Sequence, residues 1–369
     1  MEDKKCIVVV SSYYGPYAGN FIASLERFDI EMKKRKYRII YIFHEKAKEF
    51  EWLSEFKISK DAVYLLPYNP YSLDNIRRFK EIFLREKVDI IYSRLGGWEI
   101  TAHLAALHIP CVWHFEFGLQ INSIKQKIKY GFKYKILGRN NVYHIAISKQ
   151  GAEAINSFKV RNTCVFIPNA PELARFSTLQ ERENPQKTLI SILIFAYDPY
   201  TKGLDIALSA LEKLNFLNER YKLLIVAQDA TMQFLNKRYR EIPNWVTILE
   251  PSEDVSSIYK QAQILLSASR SEGFSYCLME ALYCGLCAVY SDIPGTSWAD
   301  EFQLAYKFSS EDVDALSEAI QRASVSDCNK RKQEYNRKLV KDNYSMDAWA
   351  SKVGNFIDGI FYHEGKKDE

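Results

Sequence analysis

Two glutamates eight residues apart, Glu272 and Glu280, stand on either side of a loop-to-helix junction in the stretch SRSEGFSYCLMEALYCG at 269–285. The apolar run QILLSAS before it reads as a strand, RSEGF as the loop, and Tyr276 to Cys284 as a helix closed by Gly285. Ser275 is placed to be the N-cap. Backbone N–H groups at 274–276 would face whatever lies above the strand end, and a helix start of this kind favours an anion. Two carboxylates in the same corner would repel a bare phosphate. A ligand of mixed chemistry resolves the conflict, with phosphates for the amides and vicinal hydroxyls for the acids, since a carboxylate can accept two charge-assisted hydrogen bonds from a diol. A diphosphate with a diol on each side describes a nucleotide sugar. The alternative is two ordinary surface acids, with Glu280 interacting with the helix dipole. As a loop acid, Glu272 is expected to matter to the site and little to stability.

The elements that position these residues alternate along the chain. CIVVVSS is a short apolar run followed by a Gly/Pro turn, YYGPYAGN, and a helical pattern, FIASLERFDIEMKKR. YRIIYIF, KVDIIYSR, IPCVWHF and VYHIAIS continue the series as strands. After IPNAPELARF the pattern restarts with SILIFAY, YKLLIVAQ, WVTILE, QILLSAS and LCAVYSD. Continuous apolar strands alternating with helices predict parallel sheets covered on both faces. The fold class is therefore α/β, with two doubly wound Rossmann-like halves that meet near 168–186, where Pro168, Pro171 and the polar run STLQERENPQK interrupt the pattern. In such sheets ligands bind at the carboxyl ends of strands.

Length and composition agree. A chain of 369 residues exceeds one ordinary core, and 47% hydrophobic with 26% charged residues is the make-up of a soluble globular protein. No apolar run reaches the roughly 18 residues that would span a bilayer, and MEDKKCIVVVSSYYG does not read as a signal peptide. The seven cysteines have no cysteine–histidine ligand spacing, and Gly285 and Leu286 between Cys284 and Cys287 sit at a helix-to-strand handover. All seven read as reduced thiols in a cytoplasmic protein. The net charge of +4 divides into 26 Lys/Arg against 17 Asp/Glu over residues 1–160 and 24 against 29 over the rest, which fits two domains with different electrostatic tasks.

The segment SRSEGFSYCLMEALYCGLCAVYSD closely resembles the E-x7-E motif of the retaining glycosyltransferases of family four, which have the GT-B fold. The resemblance implies two Rossmann-like domains facing a central cleft. An acceptor-binding domain at 1–167 would be completed by a crossover helix at about 345–362, and a nucleotide-sugar-binding domain would occupy 168–344. It implies that Glu280 holds the donor ribose and Glu272 the donor sugar, with Gly273, Phe274 and Ser275 lining the donor. YYGPYAGN resembles the first glycine-rich loop, with Gly19 and Asn20 its best matches. VWHFEFG resembles the strand end that carries an active-site histidine, here His114. AISKQG and IPNA resemble the end of the first domain and the linker, and PYTKGLDIALSAL the helix start whose lysine, here Lys202, binds the diphosphate. YSMDAWASKVGNFI resembles the crossover helix. His114 could instead be a satisfied core histidine, Lys202 a solvated lysine, and Gly15 and Gly19 mere turn formers. Where the family has Gly-Arg after the first strand of the second domain, this chain has Ala196, Tyr197 and Asp198. Arg270 and Arg94 are the candidates to supply the missing cation.

The implied reaction is front-face transfer with retention, from a nucleotide-diphosphate sugar to a glycan or lipid-linked acceptor in bacterial surface-polysaccharide synthesis. The donor phosphate would help deprotonate the acceptor hydroxyl. No DxD-like motif occupies a suitable loop, so neither metal nor cofactor is expected, and the leaving diphosphate falls to Lys202 and the helix-start amides. The acceptor is expected near Tyr14, His114 and the 94–99 loop RLGGWE. Alternatives are a non-catalytic GT-B partner or stabilising subunit of another transferase, and a nucleotide-sugar epimerase on a similar fold.

One feature lies outside this scheme. Between Glu116 and Glu153 there is no acid but seven cations, Lys125, Lys127, Lys129, Lys133, Lys135, Arg139 and Lys149. Ile121, Ile124, Ile128, Phe132 and Ile136 recur there at spacings of three and four, which predicts an interfacial helix on an anionic membrane surface, at the inner face of the cell membrane. The other reading is a core-facing stripe with a solvated basic flank. Nucleic acid is a poorer partner, because no fold motif accompanies the charge.

Overall fold

The computed structural model describes residues 4–58, 60–67, 69, 72–116, 123–138, 141–176, 189–216, 219–252 and 254–365. The chain forms two compact units, one from Met1–Glu172 with Met346–Glu369, the other from Leu173–Ser345.

The first unit is built on β1 (Cys6–Ser11), β2 (Arg38–His44), β3 (Ala62–Leu66), β4 (Val88–Arg94), β5 (Cys111–Phe115), β6 (Val142–Ala146) and β7 (Val165–Phe166). They lie in the order β3-β2-β1-β4-β5-β6-β7, every neighbouring pair parallel. The second holds β8 (Ile190–Phe195), β9 (Tyr221–Val226), β10 (Val246–Leu249), β11 (Ile264–Ser267), β12 (Cys287–Ser291) and β13 (Ala305–Phe308), again all parallel, in the order β10-β9-β8-β11-β12-β13. The apolar runs explain the central strands. Cys6 through Val10 are all buried, as strands flanked by helices on both faces must be. The edge strands β3, β7 and β13 have no such fully buried run. β3 is half-buried along most of its length although its sequence, AVYLL, is apolar throughout; β7 has two residues, and Lys307 interrupts β13.

The strand order reverses between β1 and β4 in one sheet and between β8 and β11 in the other. Loops leaving such a pair diverge to opposite faces and open a crevice at the carboxyl ends. Lys202 and the Glu272 loop fall at the second of these reversals.

The helix Met346–Gly365 belongs to the first unit and packs along the helix Gly19–Lys34. Trp349, Val353, Ile357 and Ile360 form its buried stripe against Leu25, Phe28 and Met32, each large apolar side chain contributing roughly 1.5–3 kcal/mol on burial. Arg35 Nη1 and the Tyr37 hydroxyl both donate to Asp358, at 2.5 and 2.7 Å, and fix its register.

Candidate functional site

The corner at the β8–β11 reversal is assembled from two loops fastened to each other. In the loop after β8 the Lys202 N–H donates to the Asp198 carbonyl at 2.8 Å, and the Thr201 N–H to Asp198 Oδ1 at 3.1 Å. Gly203 then takes φ +65° at the start of the helix Leu204–Asn215. A Cβ at that position would lie 2.0 Å from the Ala268 carbonyl oxygen, so glycine answers both the left-handed backbone and the close approach. One step on, the Arg270 N–H donates to the Thr201 carbonyl at 2.8 Å. Arg270 locks the joint. Its guanidinium forks onto Asp205 at 2.9 and 2.8 Å, donates to the Tyr200 carbonyl and to Glu311, and lies 4.1 Å over the Tyr200 ring. All three of its nitrogens therefore already serve the protein.

Within this corner Lys202 Nζ and Glu272 Oε1 are 2.6 Å apart, both side chains about nine-tenths buried. The Ser269 hydroxyl donates to the same oxygen at 2.7 Å. Burial acts to depress the lysine pKa, and the Glu272 carboxylate more than offsets it, so the net shift is upward and Lys202 is a fixed cation. Behind Glu272 the turn Pro294–Glu301 comes so close that a Cβ on Gly295 would sit 2.2 Å from the Glu272 carbonyl oxygen. Glu280 lies in the helix Tyr276–Tyr283, buried, and its Oε2 accepts from the Tyr259 hydroxyl at 2.8 Å. Ser275 stands at the N-cap with no side-chain capping bond, and Gly285 takes φ +80° beyond the other end. Phe274 stacks on Trp298, 5.3 Å between centroids. Cys277, in the first helical turn, lies within electrostatic reach of all three charged groups. Burial pushes its thiol up to about 11, Lys202 opposing and Glu272 and Glu280 adding to the rise.

The structure thus brings Lys202, Glu272, Gly273, Phe274 and Ser275 to one corner with Glu280 beside it. Arg270 borders the corner but is turned to Asp205 and Glu311. Tyr259, Ser269 and Gly295 complete it without having been singled out in the sequence. A glycine following Ile293-Pro294 is the one trace any of them leaves.

In the first unit His114 is the penultimate residue of β5 and is buried. Its Nδ1 is 2.7 Å from the Tyr92 hydroxyl, and its Nε2 has no hydrogen-bond partner. Burial, reinforced by the nearby Arg94 cation, pushes its pKa well down, so the ring is neutral. Gly19 opens the helix Gly19–Lys34 at φ +53°, and Asn20 Oδ1 accepts from the Glu172 N–H at 2.9 Å. Tyr14 is half exposed with its ring 4.6 Å from that of His44. Arg94 differs from expectation. It is 1% exposed, ion-paired to Glu116, bonded to Ser24 Oγ at 2.7 Å, and packed over the rings of Phe21 and Trp349. It is a core cation and presents nothing to an acceptor.

The basic segment forms the helix Ile124–Gly131, running directly into a π-helical stretch, Phe132–Leu137. Lys125 and Lys129 are exposed, while Lys133 pairs with Glu99 and lies over the rings of Trp113 and Tyr134. The apolar stripe does not face the core: Ile124, Ile128, Phe132 and Ile136 are 79, 68, 53 and 61% exposed. Ile121 and Arg139 lie outside the described residues. No helix among the described residues is long and apolar enough to cross a membrane, and no group of three or more His, Cys, Asp or Glu side chains there could hold a metal ion.

Two wholly parallel sheets with the reversal-point loops just described define the GT-B architecture, and solved structures share it. A glycosyltransferase from Rickettsia africae superposes with a TM-score of 0.78 at 18% identity, covering 97% of this chain and 99% of that one. Anabaena HepE in complex with UDP gives 0.77 at 13%, over 96% and 99%. The lipopolysaccharide outer core galactosyltransferase WaaB in its apo form gives 0.73 at 14%, over 96% and 99%. Residues 188–324 match the family model described as glycosyl transferases group 1. One subunit of the human phosphatidylinositol N-acetylglucosaminyltransferase is 23% identical over 315 residues, 78% of this chain, which spans 62% of that relative's length. The family match and the shared fold together support a glycosyltransferase.

Proposed function

We propose that the chain is a retaining glycosyltransferase. It moves a sugar from a nucleotide-diphosphate sugar to a glycan or lipid-linked acceptor in bacterial surface-polysaccharide synthesis, on the cytoplasmic side. The observation that carries this reading is the buried Lys202–Glu272 pair at the β8–β11 reversal, beside Glu280 and the start of the helix Tyr276–Tyr283. The helix-start amides and the Lys202 ammonium hold the diphosphate and stabilise the charge that develops as it leaves. This supplies the positive potential without a metal. Glu280, oriented by Tyr259, accepts hydrogen bonds from the ribose diol. Glu272, held by Lys202 and Ser269, takes the hydroxyls of the transferred sugar. The bond from the anomeric carbon to the phosphate oxygen breaks as the acceptor oxygen attacks the same face. The acceptor proton passes to a donor phosphate oxygen, and a nucleoside diphosphate departs. His114, neutral and with an unpartnered Nε2, is the first unit's candidate for a hydroxyl contact. Solved relatives named for complexes with UDP and UDP-glucose support the donor class, and the names of the lipopolysaccharide and phosphatidylinositol transferases support a lipid-borne acceptor.

A second reading, a non-catalytic GT-B partner of another transferase, is favoured by one observation. The position after β8 holds Ala196, Tyr197 and Asp198, and the nearby Arg270 is committed to Asp205 and Glu311. Saturation-transfer NMR with a panel of nucleotide sugars, followed by proton NMR of the released sugar, separates the two. Donor binding with slow hydrolysis to the retained anomer is expected. An inverted anomer would overturn retention, and a donor bound but never turned over, with or without acceptor, would favour the non-catalytic reading.

A further inference from the structure

The helix Ile124–Gly131 inverts the usual logic of a globular protein: none of its residues is buried, and its apolar side chains point outward. The π-helical stretch that follows explains how the outward stripe stays straight. In an α-helix every fourth residue overshoots a full turn by about 40°, so Ile124, Ile128 and Phe132 drift around the axis. A π turn holds more than four residues, so the step from Phe132 to Ile136 falls short of a turn and reverses that drift. Four large apolar side chains therefore share one outer line. The inner side is anchored by the buried Tyr134, stacked on Phe158 and edge-on to His144, and by the Lys133–Glu99 ion pair. Lys125 and Lys127 project about a quarter turn to either side of the stripe, and Lys129 and Lys135 are exposed as well. No acidic residue occurs between Ser123 and Gly138.

We propose that this face docks the protein on the surface of an anionic lipid leaflet. The line of Ile124, Ile128, Phe132 and Ile136 lies among the acyl chains, and the flanking lysines lie at the phosphate level. Charge complementarity selects this occupant. A second copy of the chain would set lysine against lysine with no acid to compensate, whereas an anionic bilayer offers apolar depth beneath a negative surface. The segment belongs to the first unit and the donor-site residues to the second, so the proposal extends the transferase reading without resting on it.

The test is co-sedimentation of the full chain with vesicles of phosphatidylcholine alone or of phosphatidylcholine mixed with phosphatidylglycerol, at low salt and again at 0.5 M NaCl, roughly the range over which screening becomes strong. Pelleting with the mixed vesicles only, reversed by salt, is the expected result. Ile128→Asp with Phe132→Asp should reduce the partition coefficient at least tenfold. Lys125→Gln with Lys127→Gln and Lys129→Gln should weaken binding while leaving the melting temperature unchanged. Recovery in the supernatant with both vesicle types would overturn the proposal, as would undiminished binding by the aspartate variant. A concentration-dependent dimer abolished by the same aspartates would overturn it in favour of a second copy. Nucleotide-sugar binding measured on the same samples without vesicles reports separately on the transferase reading.

Discussion

Glu272→Gln would leave the Lys202 ammonium in a pocket where about a tenth of its side chain is exposed, with its 2.6 Å partner neutralised. Removing one member of a buried pair typically costs about 3–5 kcal/mol. Two features lower the figure here. The glutamine can still accept one hydrogen bond, and an unpaired buried lysine can shed its proton. Deprotonating a lysine of ordinary pKa at pH 7 costs about 5 kcal/mol, which sets the ceiling. We expect about 2–3 kcal/mol for Glu272→Gln and a similar loss for Lys202→Met, which strands the carboxylate on Ser269 alone. The double variant should lose about 2 kcal/mol or less, giving a coupling of at least about 2 kcal/mol between the two sites. Urea unfolding with a check on the m-value measures all four corners of the cycle. The pH dependence adds a sign. A lysine whose folded pKa is raised contributes stability that is fully present below its unfolded value near 10.5 and is lost as pH rises through the folded value. Glu272→Gln should remove that alkaline loss. Additive single costs, or singles below about 0.5 kcal/mol each, would refute the argument and return Glu272 to the role expected of a loop acid.

Glu280→Gln should weaken donor binding by roughly 1–3 kcal/mol, one charge-assisted contact to ribose becoming neutral, and calorimetric titration checks it. Gly295→Ala forces a Cβ against the Glu272 carbonyl and should abolish transfer while the circular dichroism spectrum stays native, since the turn can yield only by shifting the motif loop. His144 is held neutral to a pKa of about 3, by burial first and Lys133 second, and burial also lowers His103 and His114. These imidazoles take up protons on unfolding, so stability should fall as pH drops below about 6.5, by up to about 1.4 kcal/mol per pH unit for each ring kept neutral. Both nitrogens of His144 lack partners, so His144→Phe should flatten that slope at no cost near neutral pH, a result that acid titration of the melting temperature reports.

The central strands were legible because both faces of a parallel strand are buried, and burial writes itself as an unbroken apolar run such as CIVVV or ILLS. At the sheet edges the signal is uneven: β10 was legible as WVTILE, β3 has the apolar run AVYLL but is only half-buried, β7 has two residues, and Lys307 interrupts β13. The corner was legible where chemistry restricts the residue type, as at Glu272, Glu280, Lys202 and Gly285. It was not legible where a common residue acquires its role from long-range packing. Tyr259 reaches Glu280 from another helix, and a glycine within the Pro294–Glu301 turn gives no sign that it abuts the motif loop. Arginine has the same ambiguity. Arg94 and Arg270 look alike as unassigned cations, yet one is enclosed with Glu116 beneath Trp349 and the other clamps Asp205. Only neighbours distant in sequence tell them apart.

The helix Met346–Gly365 gives the chain an unusual history on the ribosome. The first unit's sheet is synthesised early, but Phe28, Tyr92 and the Arg94–Glu116 pair acquire their cover, Trp349, only after the whole of Leu173–Ser345 has followed. At roughly 5–20 residues per second that interval lasts on the order of 10–30 s. Throughout it, the apolar side chains and the ion pair that Trp349 covers in the folded protein are without that cover. The unit that starts first is the one that finishes last.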